Sequence, residues 1–470
     1  MKKTQLAAFL LLSIVFASCT QEKAYSKPNI IIINVDDMGW KDVGYMGSTY
    51  YETPNIDALS KLGKVFTNGY AASANCAPSR ASLMTGKWTT RHGMYTVNSS
   101  ERGKSKNRKI IPTKNIRVLT KAHTTLPTVL NQNGYTTIHA GKWHISKNPL
   151  NYGFDINIGG GSNGHPRSYF PPYKNVVLKA GEKTQLTDAI MEKTIAQIES
   201  VKQPFFLNYA PYAVHTPIQP IQRLLTNYKE KSTSNGQNNA AYATMIENLD
   251  SNIGLLIETL KTIGKFDNTL LVFTSDNGGL FGITNQHPLR AGKGSYYEGG
   301  IREPFFFVWK NNIKANTTSD IPITNIDLFP TLLEAAGVDN SRYQLDGNSL
   351  LPVLKDEVQE LKRPLFWHFP IYLQAYKVKN NENRDPLFRT RPGSVVRVGD
   401  WKLHYYFENN EIELYNLATD IGEKNNVAEE HKEKASELLL LLKNWWKETN
   451  APIPTELNPE FAPTKRLKTK

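Results

Sequence analysis

Four short apolar runs, each ending in side chains that can bind metal or move protons, constrain this chain more tightly than anything else in it. Ile30 to Ile33 leads through Asn34 and Val35 to Asp36 and Asp37, and Leu270 to Phe273 leads through Thr274 and Ser275 to Asp276 and Asn277. Tyr135 to Ile138 leads to Lys142 and His144, and Phe205 to Leu207 leads to His215. Runs this apolar, without polar alternation, read as strands buried on both faces of a sheet. Helical patterns over 188–201 and 240–262 lie between them. The alternation predicts an α/β fold with a central, mainly parallel sheet sandwiched by helices. Ligands bind outside the carboxyl ends of such strands, so the four polar endings point to one shared site.

The pattern changes near residue 355. Ser394 to Val398 and Trp401 to Tyr406 read as strands around a Gly399-Asp400 turn, Glu411 to Tyr415 as a further strand, and Glu429 to Trp446 as a helix with a leucine-rich face. With 470 residues, 40% of them hydrophobic, the chain can bury a large core and a smaller second one. The expected division is a catalytic domain over 28–355, a C-terminal α+β subdomain over 356–450 with a short antiparallel sheet and a helix, and an irregular tail over 451–470. No internal repeat or low-complexity tract stands out.

The first residues speak to compartment. Lys2 and Lys3 precede an apolar run from Leu6 to Phe16, then Ala17, Ser18 and Cys19. A basic start, an apolar stretch and small residues make a signal peptide over 1–18, and the run is too short to span a bilayer. Phe16-Ala17-Ser18-Cys19 also has the form of a bacterial lipobox, with Cys19 lipidated and 19–27 a short tether. The expected location is the outer membrane, on its periplasmic face or at the cell surface, with the periplasm as the alternative. Of the two cysteines, this leaves Cys76 over, and a leftover cysteine in an exported protein is a candidate for special chemistry.

Three carboxylates and an amide, Asp36, Asp37, Asp276 and Asn277, form a hard, oxygen-only set that suits calcium or magnesium. Cys76 opens Cys-Ala-Pro-Ser-Arg, followed by Leu83-Met84-Thr85-Gly86. Pro78 suits a first helical turn, which sets Cys76 near a helix N-terminus, where backbone N–H groups favour anions. Taken alone, Cys76 is either a buried structural residue or a thiolate nucleophile.

Cys76-x-Pro78-Ser79-Arg80 with Leu83 to Gly86 resembles the signature of the formylglycine-dependent, type I sulfatases of the alkaline phosphatase superfamily. The resemblance runs from about Lys27 to Val427, with motifs in the family's order. Pro28 to Asp37 and Thr53-Pro54-Asn55-Ile56-Asp57 are similar to the segments before the signature. Gly141-Lys142-Trp143-His144 follows, although Ile145-Ser146 stands where the family commonly has Leu-Gly. His215-Thr216-Pro217, Ser275-Asp276-Asn277-Gly278, Lys293-Gly294 and Glu298-Gly299-Gly300-Ile301-Arg302 come next, then Gly399-Asp400-Trp401-Lys402 and Glu413-Leu414-Tyr415-Asn416-Leu417.

The resemblance implies an alkaline-phosphatase-like fold with a mixed central sheet, and hydrolysis of sulfate esters. It implies one calcium ion (Ca2+) per chain on Asp36, Asp37, Asp276, Asn277 and residue 76. Cys76 is converted to formylglycine (3-oxoalanine) by a formylglycine-generating maturation enzyme. A hydroxyl of the hydrated aldehyde attacks sulfur, giving a covalent sulfate intermediate. Arg80 and Lys142 hold the diol, Lys142, His215 and Lys293 cradle the sulfate, and His144 is the base of the second step. His215 is the expected acid for the leaving oxygen and Lys293 the alternative. Glu298 and Arg302 are expected to be a structural ion pair.

The substrate is less constrained. A formal charge of +13 suggests an anionic partner. Eight Lys or Arg residues lie between Arg102 and Lys121, either a solvated loop or the lining of a cleft for a polyanion. Gly159-Gly160-Gly161 through His165, Arg167, Tyr169 and Tyr173 reads as a loop at the mouth, and Trp367-His368-Phe369 as a segment closing the pocket. His165, Arg167 and His368 are the expected substrate contacts. A sulfated polysaccharide or its oligosaccharides fit, with algal glycans such as ulvan or carrageenan first and glycosaminoglycans or mucin glycans second. The rivals are a formylglycine-dependent phosphonate or phosphate ester hydrolase and a retired enzyme that only binds sulfated glycans. The export signal and the lack of any nucleic-acid motif argue against nucleic-acid binding.

Overall fold

A computed structural model of the chain describes residues 27–202, 204–378 and 382–462. The expected signal peptide, Cys19 and nearly all of the tether lie outside the described residues. Among those residues, no helix is long and apolar enough to cross a membrane.

Among the described residues nine strands make the central sheet: β1 (Asn29–Val35), β2 (Lys64–Tyr70), β3 (Thr136–Gly141), β4 (Ile156–Ile158), β5 (Phe205–Ala210), β6 (Thr269–Ser275), β7 (Arg302–Val308), β8 (Thr317–Ser319) and β9 (Ile323–Thr324). Their order is β4-β3-β5-β1-β6-β7-β2-β8, with β9 also beside β2. The strands from β4 to β6 run parallel, and β7 is antiparallel to both β6 and β2. The sheet is therefore mixed but mainly parallel. Strand β1 shows why an unbroken apolar run is needed at its centre: Ile31 and Ile33 pack into the core on one face, Ile30 and Ile32 into the core on the other, and all four are fully buried. Side chains two apart share a face, so a polar residue anywhere in this run would be buried.

The first core lies under the helices Leu186–Ser200 and Ala240–Thr262. The second contains Ala77, Ala81, Leu83 and Met84 of Cys76–Thr85, a helix buried at every residue. We label these helices in chain order α1 (Cys76–Thr85), α2 (Leu186–Ser200) and α3 (Ala240–Thr262).

Beyond residue 355 the chain forms a four-stranded antiparallel sheet from β10 (Leu365–Phe369), β13 (Gly393–Val398), β14 (Trp401–Tyr406) and β15 (Glu411–Asn416), in that order, covered by helix α4 (Lys432–Thr449). A two-stranded ribbon, β11 (Leu373–Gln374) and β12 (Phe388–Thr390), is inserted between β10 and β13. The last described stretch, 451–462, is irregular except for a bridge from Leu457 to Ile110.

A buried charge cluster joins the two parts. Glu298 accepts from Tyr70 Oη at 2.7 Å and Arg302 Nη1 at 3.2 Å, and its other oxygen takes Lys402 Nζ at 2.8 Å. Lys402 also meets Glu423 at 3.0 Å, which takes His404 Nε2 at 2.9 Å and the Glu298 backbone N–H at 2.5 Å. The Glu298–Arg302 pair read from the sequence is thus one edge of a larger network.

Candidate active site

Strands β3, β5, β1 and β6 are consecutive neighbours in the sheet, so the four polar endings meet along one edge. Parallel pairing of Val35 with Ser275 sets Asp36-Asp37 beside Asp276-Asn277, and the Asp276 N–H closes the junction on Val35 O at 3.0 Å. Asp37 takes a left-handed backbone, φ 61°, which aspartate tolerates better than most residues. Gly141 is required where it stands. At φ 104°, a Cβ there would fall 2.0 Å from Ala210 O, so only glycine lets β3 turn into Lys142.

All four metal candidates are buried. Lys142 Nζ donates to both oxygens of Asp36 at 2.7 Å, Lys293 Nζ to Asp37 at 2.6–2.7 Å, and Arg80 Nε to Asp276 at 2.7 Å. Asn277 Nδ2 donates to Asp37 at 2.8 Å, while its Oδ1 is buried without a hydrogen-bond partner. Asp36, Asp37, Cys76 and His215 each offer a ligand atom within 4.8 Å of the others, a grouping that can hold a metal ion. Cys76 is the first residue of α1, 2% exposed, with its sulfur 3.8 Å from Asp37.

Three carboxylates face three permanent cations here, and their ionisation is uneven. Burial pushes Asp36 up to about 8, against the pull of Lys142. Burial also opposes ionisation of Asp37, but Lys293, His215 and Lys142 outweigh it and hold this carboxyl well below the usual range. For Cys76, burial is overcome by Lys142 and Lys293, which bring the thiol down to about 7. Such perturbation by burial together with specific charges is typical of reactive sites.

The two histidines differ. His144, at φ 68°, has Nδ1 buried without a partner, and burial plus Lys142 and Arg80 hold its pKa well below the ordinary value. His215 Nδ1 lies 2.8 Å from Thr216 O, which fixes it as the N–H nitrogen, and Nε2 lies 3.5 Å from Asp37. The glycine loop covers both. A Cβ on Gly164 would strike the His144 ring at 2.5 Å, and the next residue, His165, stacks on His215 with ring centroids 5.4 Å apart. Arg167 is exposed beside it, its backbone N–H on Asn175.

His368 is a correction. It lies in β10, fully buried, with Nδ1 on Ser394 Oγ at 2.7 Å and Nε2 on Pro452 O at 3.0 Å. Both ring nitrogens are occupied inside the C-terminal core, so it contacts no substrate. Trp367 is likewise buried, donating to Ala71 O, and it packs with Phe369 in the C-terminal core. Part of the basic run is structural too: Arg108 donates to Glu101 O and Gly103 O, and Lys109 to Glu408 O.

Sequence reasoning missed the supports. Asp42 accepts from Gly39 N, Tyr242, Thr284 and Gln286, bracing the turn after Asp37. Tyr169 donates to Tyr212 O and His215 O. Asp42 sits in no motif and Tyr169, read as a mouth-loop aromatic, is fully buried; only the tertiary fold brings their partners within reach.

Residues 28–338 match the Sulfatase family, and residues 292–448 match the C-terminal region of N-sulphoglucosamine sulphohydrolase. The chain belongs to the sulfatase family. It is a sulfuric ester hydrolase with the alkaline-phosphatase-like fold. A sulfatase of Formosa agariphila is 33% identical, over 96% of this chain and 94% of its own. Human N-acetylgalactosamine-6-sulfatase is 32% identical, over 85% and 76%. The solved structure of Ps i-CgsB in complex with k-i-k-neocarrahexaose has a TM-score of 0.73 at 30% identity, covering 91% of this sulfatase and 98% of that chain.

Proposed function

We propose that this sulfatase removes sulfate from oligosaccharides of a sulfated polysaccharide, an algal glycan of the carrageenan or ulvan type. In this reading residue 76 is formylglycine, and Asp36, Asp37, Asp276 and Asn277 hold one calcium ion. The observation that carries it is the buried, unpartnered Asn277 Oδ1 among three carboxylates, beside a buried Cys76 that two ammonium groups face. An all-oxygen donor set suits calcium, and a dication is what would keep three adjacent buried carboxylates ionised together. Bound there, calcium would neutralise charge on a sulfate oxygen. Formylglycine would supply a hydroxyl nucleophile in place of the thiol.

The chain's own groups do the rest. Lys142 and Lys293 are preplaced cations for the oxygens of the ester, where negative charge grows in the transition state. Arg80 is fixed by Asp276 and by Lys142 O at 3.0 Å, and its Nη2 is buried without a hydrogen-bond partner, free to donate to residue 76. His144, kept neutral by burial, has a free Nδ1 to take a proton. His215 gives a proton to the leaving oxygen through Nε2. Burial and Lys293 oppose the His215 imidazolium, but Asp37 and Asp36 outweigh them and raise its pKa, so it is charged and able to donate; burial opposes the Lys293 ammonium too, yet Asp37 holds it far above the imidazole and makes it a poor acid.

Likeness to a structure described with a carrageenan oligosaccharide supports the substrate class. Likeness to N-acetylgalactosamine-6-sulfatase makes glycosaminoglycan sulfate the second reading. The basic start, apolar run and Phe16-Ala17-Ser18-Cys19 support export and a lipid anchor in the outer membrane.

The test is mass spectrometry of the peptide containing residue 76, from cells that carry the maturation enzyme. It is paired with sulfate release from carrageenan, ulvan and chondroitin sulfate oligosaccharides before and after chelation. The expected peptide has lost the elements of hydrogen sulfide and gained one oxygen atom, and release depends on added calcium. Unmodified cysteine with no release from any sulfate ester would overturn the reading.

A further inference from the structure

Two arginines stand out from the other guanidinium groups around the ribbon. Arg391 is paired with Asp385 and Glu408, and Arg384 with Glu411 and Glu413. Arg389 and Arg102 have no carboxylate within ion-pair distance among the described residues. Residues 379–381, in the same insertion, are Lys, Asn and Asn and add no acid. Arg389 Nη1 donates to Lys293 O at 3.1 Å, its Cζ lies 4.9 Å from the Tyr376 ring centroid, and its Nε is buried without a partner. Among the described residues Arg102 makes one side-chain bond, from Nε to Gln374 Oε1 at 3.0 Å.

Both arginines lean on the ribbon: Arg389 belongs to β12 and Arg102 bonds to Gln374 of β11. Gln374 faces Phe388 across β11 and β12, and Phe388 immediately precedes Arg389. Gly103 packs on the Phe388 ring so closely that a Cβ there would lie 2.6 Å from it. Burial, with Arg389 nearby, lowers the Arg102 pKa, as expected for a guanidinium next to another without a counter-charge.

The ribbon is also clamped to the catalytic loop. Tyr376 Oη donates to Gly292 O at 2.6 Å and Lys293 O at 2.8 Å, and Thr390 donates to Gly294 O. Gly294, at φ 85°, lets the Arg389 side chain lie against the backbone, with its Cδ and Nε 3.0 Å from where a Cβ would be. On the other side of that loop, the Gly294 N–H reaches Ala74 O at 2.7 Å, two residues before Cys76. Lys293 thus joins the sulfate cradle through its ammonium and the arginine pair through its carbonyl.

We propose that Arg102 and Arg389 form a second anion subsite, which binds a sulfate or carboxylate on the sugar next to the one that carries the reacting ester. Two partly buried guanidinium groups with donors left over and no carboxylate beside them favour an anion, and the planar fork fits either oxyanion with paired hydrogen bonds. This deepens the proposed reaction on sulfated polysaccharides and rests on it. It makes the enzyme selective for chains with closely spaced charges.

Titration calorimetry on the full chain carrying Cys76→Ser, which binds without turnover, tests the subsite. The ligands are galactose 6-sulfate, a multiply sulfated carrageenan oligosaccharide, and a chondroitin sulfate disaccharide whose second anion is a carboxylate. R102A and the R102A/R389A double variant should weaken the oligosaccharide about ten- to a hundred-fold more than the monosulfate. R389K should lose part of that, because an ammonium keeps the charge and not the fork. A larger effect on carrageenan than on chondroitin assigns the subsite to sulfate, and the reverse assigns it to carboxylate. Equal losses on the monosulfate and both oligosaccharides, or none, overturn the subsite. Retained oligosaccharide selectivity in a chain that releases no sulfate when mature would overturn the proposed reaction and leave the subsite standing.

Discussion

The strand-end carboxylates around Asp37 and the carboxylates around Glu298, which link the central sheet to the C-terminal sheet, are both buried and both paired with lysine and arginine, yet they differ in what is left over. In the Glu298 cluster every charged side chain has its partner: Glu298 holds Tyr70, Arg302 and Lys402, and Glu423 holds Lys402 and His404. At the strand ends, Asn277 Oδ1, Arg80 Nη2 and His144 Nδ1 are buried without a hydrogen-bond partner, although Arg80 Nη2 lies 3.9 Å from Asp36. A structural network closes on itself, because an orphaned polar group in low dielectric costs about 1–3 kcal/mol. A reactive site keeps such groups open for what binds there. Such groups occur elsewhere too, as at fully buried Glu303, whose two carboxylate oxygens have no hydrogen-bond partner; what sets the strand ends apart is that they gather around Cys76 and a group of side chains able to hold a metal ion.

The sharpest break of the symmetry is Cys76→Ser. Sulfate release from any ester should fall by roughly 10^4-fold or more, since the nucleophile is removed, while the urea midpoint stays near that of the parent. Appreciable turnover would show that residue 76 is not the nucleophile.

In the other cluster the equivalent swap acts on folding. Lys402→Met leaves Glu298 and Glu423 buried with one less cation and should cost about 3–5 kcal/mol in urea unfolding. A loss below about 1 kcal/mol would mean that water enters the cluster.

The pH dependence gives a finer comparison. Burial opposes ionisation of Glu298, but Lys402, Arg302 and Arg397 pull it down from 4.5 to about 2. A depressed carboxyl pKa stabilises the fold above the unfolded value and loses that contribution as pH falls through the folded one. Stability should therefore decline between pH 4.5 and about 2, and E298Q should flatten that decline. An unchanged slope would assign it to other carboxylates.

The smallest expected effect is His165→Ala, which removes the ring stacked on His215. Such a pair is worth about 0.5–1.5 kcal/mol, so kcat/KM should fall a few-fold to about ten-fold, with stability unchanged. No change in the rate would make the stack incidental.

Much of this was legible in the chain because its signals are local. Ile30 to Ile33 could only be a doubly buried strand, and Trp401 to Tyr406 matches β14 to the residue. The polar strand endings were legible as a group because parallel strands share one functional edge. What failed was tertiary. His368 sits in an apolar strand like other candidates, and only its partners Ser394 and Pro452 reveal a packed core residue. Glu298 and Arg302 are four apart and visible as a pair, but Lys402 and Glu423 reach them from over a hundred residues away. Arg102 and Arg389 both lean on a ribbon too short to register as strands.

The near-complete enclosure of Cys76, on a helix with no exposed residue, imposes an order in time. On the proposed conversion, the maturation enzyme would have to grip the segment from 76 to 80 as loose polypeptide, before α1 sinks under the sheet. Chemistry and folding would then compete for the same few residues. A chain that folded first would be locked into its unconverted form until it unfolded again, so the share of active molecules in a preparation would record a race already run during synthesis.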